Sequence, residues 1–244
     1  MSNSNVVKFP DGIGPGIVPN SDELSKEATR FSNLRSGGRE LALQFEEYLF
    51  ADTVVLGIAL GGVPVAHEVA NYLRAQLDLV IIRRLLVPQG PESQVCAVNI
   101  GGSLVLDEEL LPLPAALDTP LDYYVADAIA ELGRRVQICR SGRSPIEVAG
   151  KTVMLVDCGI HTGLTMRAAI AALRTKQPAQ VIAAVPVAAP EGHKAIVNLV
   201  DKLVCLAQPE PFGHVGLWYE DFSRPNDDGV GELLKPAPRA ERGM

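Results

Sequence analysis

The sequence predicts an α/β fold, with a mostly parallel sheet of about five strands covered by helices on both faces. The first observation is a set of apolar runs of strand length, TVMLVD (152–157), VIAAVPV (181–187) and KLVCLA (202–207). The second is that helical patterns at 164–175 and 191–200 separate these runs. Strands that are apolar on both faces and alternate with helices are typical of a parallel sheet buried on both sides.

The elements that precede these runs continue the alternation, with one antiparallel exception. Gly101 and Gly102 interrupt the apolar segment 95–107, which predicts a β-hairpin that turns at the two glycines. Apolar side chains at helical spacing predict the helices. In chain order the patterns predict a helix carrying Leu41, Phe45 and Leu49, a strand at 53–58, a helix opened by Pro64, a strand at 79–87, the hairpin and a helix at 121–140.

Composition and charge limit the function classes. The 244 residues are 47% apolar and 21% charged, which allows a large core without disulfides or metals. A formal charge of −7 argues against a general nucleic-acid binder. The longest charge-free apolar stretch, 54–66, is too short for a membrane helix, and residues 1–20 lack the pattern of a secretory signal. Four scattered cysteines indicate a reducing compartment, so we expect a cytoplasmic protein. Because no stretch is long enough for a membrane helix, we expect no membrane partner.

The two ends of the chain differ from the segment between them. Residues 1–30 are rich in proline and glycine and show little periodicity, which predicts a mobile N-terminal arm. Residues 235–244 have the same character and are expected to form a mobile tail. The predicted folded domain therefore extends over 31–234.

The loop after the strand TVMLVD is the most informative segment. The strand ends in Asp157, and the sequence CGIHTGLT leads into a helix. Thr162, Gly163 and Thr165 offer small side chains and backbone N–H groups at the helix start, an arrangement that can hold a phosphate. Asp157 can reach sugar hydroxyls or a hydrated metal. The alternative is an ordinary corner in which a threonine caps the helix.

This strand, acid, TG-x-T loop and helix resemble the phosphoribosyl-diphosphate (PRPP) motif of type I phosphoribosyltransferases. The resemblance runs from about Phe31 to Leu234. Over this range the sequence is similar to a bacterial group of predicted phosphoribosyltransferases. Its supporting segments are GIALGGVPVAHEVA (57–70), LDLVIIRRLLVPQGPE (77–92), the strand 153–157, VIAAVPVAAP (181–190) and VGLWYEDFSRPNDDGVGELL (215–234). The resemblance implies the type I phosphoribosyltransferase fold, with a β-hairpin flap and a C-terminal hood.

The resemblance also implies roles for individual residues, including two candidate catalytic residues. The positions are Thr162, Gly163, Leu164 and Thr165 for the 5-phosphate, Asp157 for the ribose hydroxyls, Asp157 and His161 for catalysis, Leu60, Gly61, Gly62 and Arg84 for the diphosphate, and Trp218 and Tyr219 for the base-selecting hood. Mg²⁺ is expected to enter with PRPP and to take no protein side chain as a ligand.

Several ligand positions depart from the family pattern. Cys158 stands where the family has a second acid, and Leu60 stands where it has arginine before Gly-Gly. Leu164 is bulkier than the usual small residue, and the flap sequence at 92–97 is altered. Each missing charge removes a charge-assisted contact to a phosphorylated ligand. Packing residues are therefore retained, whereas ligand residues have drifted.

Other interpretations of the unusual residues stay open at this level. Cys158 could be a reactive thiol with His161 as its base, or these two residues could begin a zinc site. The rings of Trp218 and Tyr219 could stack on a base, or they could pack the C-terminal strand against the sheet. The run of arginines at 134–143 is typical of a solvated helix end, but it could face a phosphate or an acidic partner.

The leading functional hypothesis is a protein that binds PRPP or a related sugar phosphate or nucleotide. If it is active, it transfers phosphoribose to a nitrogen acceptor. The alternative is a catalytically impaired homologue that acts as a ligand sensor or through protein partners. The resemblance also implies a homodimer.

Overall fold

The computed structural model describes residues 31–86, 94–100, 103–107 and 121–235. The strands are β1 (Phe31–Asn33), β2 (Thr53–Ile58), β3 (Gln76–Leu86), β4 (Gln94–Ile100), β5 (Ser103–Asp107), β6 (Thr152–Val156), β7 (Gln180–Val187), β8 (Lys202–Ala207) and β9 (Tyr219–Asp221). The helices are α1 (Leu34–Ala42), α2 (Gly62–Leu73), α3 (Leu121–Arg140), α4 (Leu164–Arg174), α5 (Pro190–Ile196) and α6 (Asp227–Leu233). The predicted arm at 1–30 and residues 236–244 of the predicted tail lie outside the described residues.

Seven strands form the main sheet, in the order β5-β4-β3-β2-β6-β7-β8. The pairings among β3, β2, β6, β7 and β8 are parallel, which confirms the predicted fold class. The β4–β5 hairpin continues this sheet through antiparallel pairing with β3. The predicted number of about five strands therefore corresponds to the parallel part of the sheet, and the two hairpin strands bring the total to seven. Ile100 pairs with Ser103, so the two strands form the predicted hairpin, while the predicted turn glycines themselves lie outside the described residues.

Core packing explains why the central strands are apolar at every position. On β6, Val153 and Leu155 pack in the cluster on the α4 side, whereas Met154 and Val156 pack in the cluster on the α1 and α2 side. All four side chains are fully buried. Each face of a parallel sheet needs its own apolar layer, because helices cover both.

A third cluster joins the α3–α6 layer to the sheet. Leu132 and Cys139 of α3 pack with Val230 of α6 and with Leu79 and Ile81 of β3. A small two-stranded sheet brings the ends of the domain together, since β1 pairs with β9. The C-terminal segment is thereby fastened to the start of the domain.

Several element boundaries differ from the predicted ones: β3 begins at Gln76 and not at residue 79, and α5 ends at Ile196 and not at residue 200. The helix carrying Leu41 ends at Ala42, and a 3-10 segment with a non-helical Phe45 follows, so that Leu49 lies outside any helix. This break turns the fully buried Phe45 ring into the core. α2 begins at Gly62 and not at Pro64. None of the helices among the described residues combines the length and apolar character that crossing a membrane requires.

Candidate active site

Two loops from neighbouring strands meet at the carboxyl edge of the sheet. β2 leads into Gly61 and Gly62, and the adjacent parallel β6 leads into Asp157 and Cys158. A Cβ atom added at Gly62 would lie 2.6 Å from the carbonyl oxygen of Val156 and 2.9 Å from Cα of Asp157. One added at Gly61 would lie 2.9 Å from Sγ of Cys158. Only glycine permits this close approach, which brings the predicted diphosphate loop against the predicted ribose-binding acid.

Asp157 occupies a desolvated position between these loops. Its Oδ1 accepts a hydrogen bond of 2.7 Å from the N–H of Cys158. Burial raises the pKa of Asp157 from its ordinary 3.8 to about 6, although the N–H of Cys158 and the charge of Arg224 act in the opposite direction. The carboxyl group thus changes its charge near neutral pH, where a sugar ligand or a cation would favour the ionised form.

This raised pKa predicts a pH-dependent stability that Asp157→Asn removes. The folded protein binds the proton more tightly than the unfolded chain, so the contribution to the free energy of unfolding falls as pH rises from about 4 to about 6. A shift of this size corresponds to ~2–3 kcal/mol. Urea unfolding of wild type and variant at several pH values measures it. A wild-type-minus-variant difference that stays constant across this window contradicts the expectation.

The predicted 5-phosphate loop has a glycine at the start of α4. Gly163 occupies the N-cap position with φ +84° and no side-chain capping bond, so the alternative of a threonine cap is wrong. Thr162 is exposed and Thr165 is partly exposed. Leu164 packs partly against the α4-side cluster, which accommodates its bulk. The helix N-terminus is therefore bordered by two hydroxyl side chains.

His161 lies at the exposed rim of this loop. Its ring stacks on Phe212 with centroids 5.7 Å apart, and its Nε2 lies 3.9 Å from a carboxylate oxygen of Glu191. The buried Phe212 in turn stacks on Trp218. The ring of His161 thus packs against the ring of Phe212, while about half of its side chain is exposed.

The thiol and zinc interpretations of Cys158 do not agree with the structure. The side chain is buried, and this burial together with the neighbouring Asp157 raises the pKa of the thiol. A reactive thiol needs a lowered pKa and access to solvent, so the burial of Cys158 argues against the thiol hypothesis. In the described part of the chain, no group of three histidine, cysteine or acidic residues could hold a metal ion.

The rings of Trp218 and Tyr219 lie in the core. Trp218 is 2% exposed and donates from Nε1 to the carbonyl oxygen of Phe212, while Tyr219 is 5% exposed. The Tyr219 hydroxyl donates to the carbonyl oxygen of Cys158 at 2.5 Å. The structure thus corresponds to the packing alternative, in which both rings hold the C-terminal segment against the sheet, and it leaves no face of Trp218 open to a base.

The remaining predicted diphosphate residues lie at the same edge of the sheet. Leu60 packs against the third cluster and so turns towards α3 and α6. Arg84 lies on β3, opposite Cys96 of β4. Val80 of β3 pairs with Ile58, the last residue of β2, so Arg84 lies beyond the end of β2. The backbone of Arg84 is therefore above the carboxyl edge.

Arg224 is the site residue that sequence reasoning missed. A Cβ atom at Gly61 would lie 3.6 Å from its Nε, and its positive charge lowers the pKa of Asp157. The guanidinium lies over the Phe222 ring, 4.6 Å from the centroid. An isolated arginine in a loop has no periodicity to mark it, and the available signal was its place within the family-like segment 215–234. Arg224 brings a cation to the loop in which Leu60 replaces arginine.

Comparisons with known proteins agree with this fold. The model of the family described as "Phosphoribosyl transferase domain" matches residues 31–220. Two Mycobacterium tuberculosis relatives, MT0597 of strain CDC 1551 / Oshkosh and Rv0571c of strain H37Rv, are provisionally named phosphoribosyl transferases and are each 36% identical over 220 residues. These residues cover 87% of this chain but 48% of each relative, so the chain spans about half the length of these curated relatives.

A solved structure supports the fold independently. The crystal structure of TT1426 from Thermus thermophilus is 34% identical and matches with a TM-score of 0.68, covering 84% of this chain and 97% of that one. The matched family model spans most of the chain and includes β2, β6, the Gly61–Gly62 loop and the predicted 5-phosphate loop. The chain therefore belongs to the phosphoribosyl transferase domain family.

Proposed function

We propose that this protein binds PRPP and transfers its phosphoribosyl group to a nitrogen acceptor. The observation that carries the proposal is the contact of the Gly61–Gly62 loop with Asp157, next to the guanidinium of Arg224 and at the start of the loop that leads to the N-terminus of α4. A helix N-terminus that favours an anion, an acid that can accept hydrogen bonds from hydroxyls and a cation next to a glycine loop match the successive parts of a phosphorylated sugar diphosphate.

The proposed binding mode assigns one part of PRPP to each element. The 5-phosphate binds at Thr162–Thr165, where the amides and dipole of α4 favour an anion. The ribose hydroxyls donate to ionised Asp157. The diphosphate lies over Gly61 and Gly62, whose close approach to Asp157 and Cys158 brings it next to the ribose, and Arg224 neutralises it.

The transfer exchanges one bond at the anomeric carbon for another. The nitrogen nucleophile forms a C–N bond as the C–O bond to diphosphate breaks, and the two bonding electrons leave with the diphosphate. Arg224 would stabilise the developing negative charge on this leaving group. His161, at the exposed rim, would accept the proton of the nucleophile.

Mg²⁺ is proposed to arrive with the diphosphate. Asp157 is the carboxylate between the two loops, so a cation carried by the ligand oxygens would lie near it. When bound, Mg²⁺ would neutralise the charge of the diphosphate. A homodimer and a cytoplasmic location stay predictions.

The phosphate part of the proposal is tested by Thr162→Val with Thr165→Val. We expect a loss of phosphate and PRPP affinity of about tenfold, since two neutral hydroxyl contacts are worth ~0.5–1.5 kcal/mol each. Calorimetric titration with PRPP and with inorganic phosphate measures it. The matched control is Thr175→Val at the other end of α4, where the hydroxyl donates to the carbonyl oxygen of Ala172. Equal losses in the test and control variants would count against the proposed loop.

A second candidate function is a ligand sensor with impaired catalysis. The observation that favours it is Cys158, which puts a buried neutral thiol where the family pattern has a second acid. We expect diphosphate release from PRPP to be well below a typical enzyme turnover of ~10 s⁻¹ with any base of a purine and pyrimidine panel. PRPP binding without release supports the sensor, and turnover at the typical rate excludes it.

A further inference from the structure

Arg135, within the arginine run of α3, forms an ion pair with Asp227 that fastens the C-terminal segment. Arg135 donates from Nε to both carboxylate oxygens of Asp227, at 3.2 and 3.1 Å, and from Nη2 to one of them at 2.9 Å. Both side chains are about three-quarters buried, with 23% and 24% exposure. The carboxylate thus engages two donor groups of the guanidinium, a geometry that fixes direction as well as distance.

Further contacts make this attachment rigid. Arg143 donates to the carbonyl oxygen of Gly231 at 3.0 Å and to that of Cys139 at 3.2 Å. A Cβ atom at Gly231 would lie 3.2 Å from the same Cys139 oxygen, so α6 approaches α3 closely. Val230 is fully buried between them. α6 is therefore held on α3 by polar and apolar contacts together.

In the sequence, Arg224 lies between two anchored residues, Asp227 on one side and Tyr219 on the other. Only Pro225 and Asn226 separate it from Asp227; proline restricts φ, and the Asn226 side chain accepts a hydrogen bond from Gly229 and caps α6. On the other side, Phe222 stacks on Tyr219, whose hydroxyl is bonded to the carbonyl oxygen of Cys158. Moving either anchor would move the guanidinium relative to Gly61.

We infer that Arg135 and Asp227 are positioning residues that hold Arg224 over the Gly61–Gly62 loop. A pair between α3 and α6, outside the predicted ligand loops, thereby sets the affinity for the diphosphate group. The inference rests on the proposed function. It also assigns a role to Arg135 within a run of arginines that could otherwise be only a solvated helix end.

The test combines Arg135→Met with inorganic diphosphate as the probe. We expect about fivefold to tenfold weaker diphosphate binding by calorimetry, and an intermediate loss for Arg135→Lys, which keeps the charge but lacks the planar fork. In an Arg224→Gln background, Arg135→Met should have little further effect on affinity, because its influence acts through Arg224. A loss that adds fully to that of Arg224→Gln, or no loss at all, overturns the inference.

A second readout reports the anchor without any ligand. Trp218 is the only tryptophan of the chain and lies buried in the same C-terminal segment. Arg135→Met should increase acrylamide quenching of its fluorescence, whereas Arg174→Met should not. Arg174 pairs with Asp201 at the far end of α4 and gives the matched control.

These readouts separate the inference from the proposed function. If wild-type protein binds no diphosphate, the proposed function fails, and the role in diphosphate affinity fails with it. If diphosphate binds but quenching and affinity are unchanged in the variants, the inference alone is overturned. Should Arg135→Met not fold, Arg135→Lys carries the same comparison.

Discussion

Arg224→Gln is expected to weaken the binding of PRPP and of inorganic diphosphate by about tenfold to a hundredfold. A charge-assisted hydrogen bond contributes ~1.5–3 kcal/mol, and this guanidinium is the cation that the structure places against Gly61. Its loss should also allow the pKa of Asp157 to rise further, since Arg224 lowers it. Calorimetric titrations at two salt concentrations measure the effect, which should shrink at high salt.

Two further variants make this prediction specific. Arg39→Gln, at an exposed arginine of α1, controls for a change in net charge and should leave affinity unchanged. Leu60→Arg in the Arg224→Gln background should recover part of the loss by returning a cation to the loop. Recovery is expected to be incomplete, because Leu60 packs against the third cluster and its replacement costs stability. Equal affinity of wild type and Arg224→Gln would refute the assignment.

Cys158→Asp is expected to act in opposite directions on the free and the ligand-bound protein. In the free protein it should lower the free energy of unfolding by ~2–4 kcal/mol, because it places a second carboxyl group in a buried position next to Asp157. With PRPP and Mg²⁺ present, affinity should rise about tenfold, since the added charge faces a cation. The loss of stability should therefore shrink on adding both.

The matched control for this substitution is Cys158→Ser. Serine is small and polar but carries no charge, so it should neither repel Asp157 nor raise the affinity for the magnesium complex. Thermal melting and calorimetry with and without Mg²⁺ measure both effects. If the folded Cys158→Asp protein binds no more tightly than Cys158→Ser, the position does not serve a PRPP–Mg²⁺ ligand.

The fold could be predicted because its signals lie within single elements. The bounds of β8 and α3 match the predicted ranges, and β4 and β5 pair as the predicted hairpin. Burial on both faces leaves an unbroken apolar run, which is visible without a structure. Helix starts were less certain, as at Gly62, because the first turn of a helix needs no apolar spacing.

The candidate site was predictable only where its residues are consecutive. The loop from Asp157 to Thr165 holds an acid, a glycine and a helix N-terminus in one stretch of chain. The role of Arg224 was not visible, because it depends on the C-terminal segment folding back across Gly61. The loss of arginine at Leu60 therefore looked more severe from the sequence than it does in the structure.

By itself, the sequence determined the parallel sheet, the family and the strand, loop and helix that form the proposed phosphate loop, since these depend on local patterns of apolar, small and acidic residues. The tertiary structure decided that Trp218 and Tyr219 are core residues, that the Cys158 thiol is buried, and that Arg224 and Asp157 face one loop. Burial and charge proximity depend on contacts between residues far apart in the chain, and periodicity within one element carries no information about such contacts.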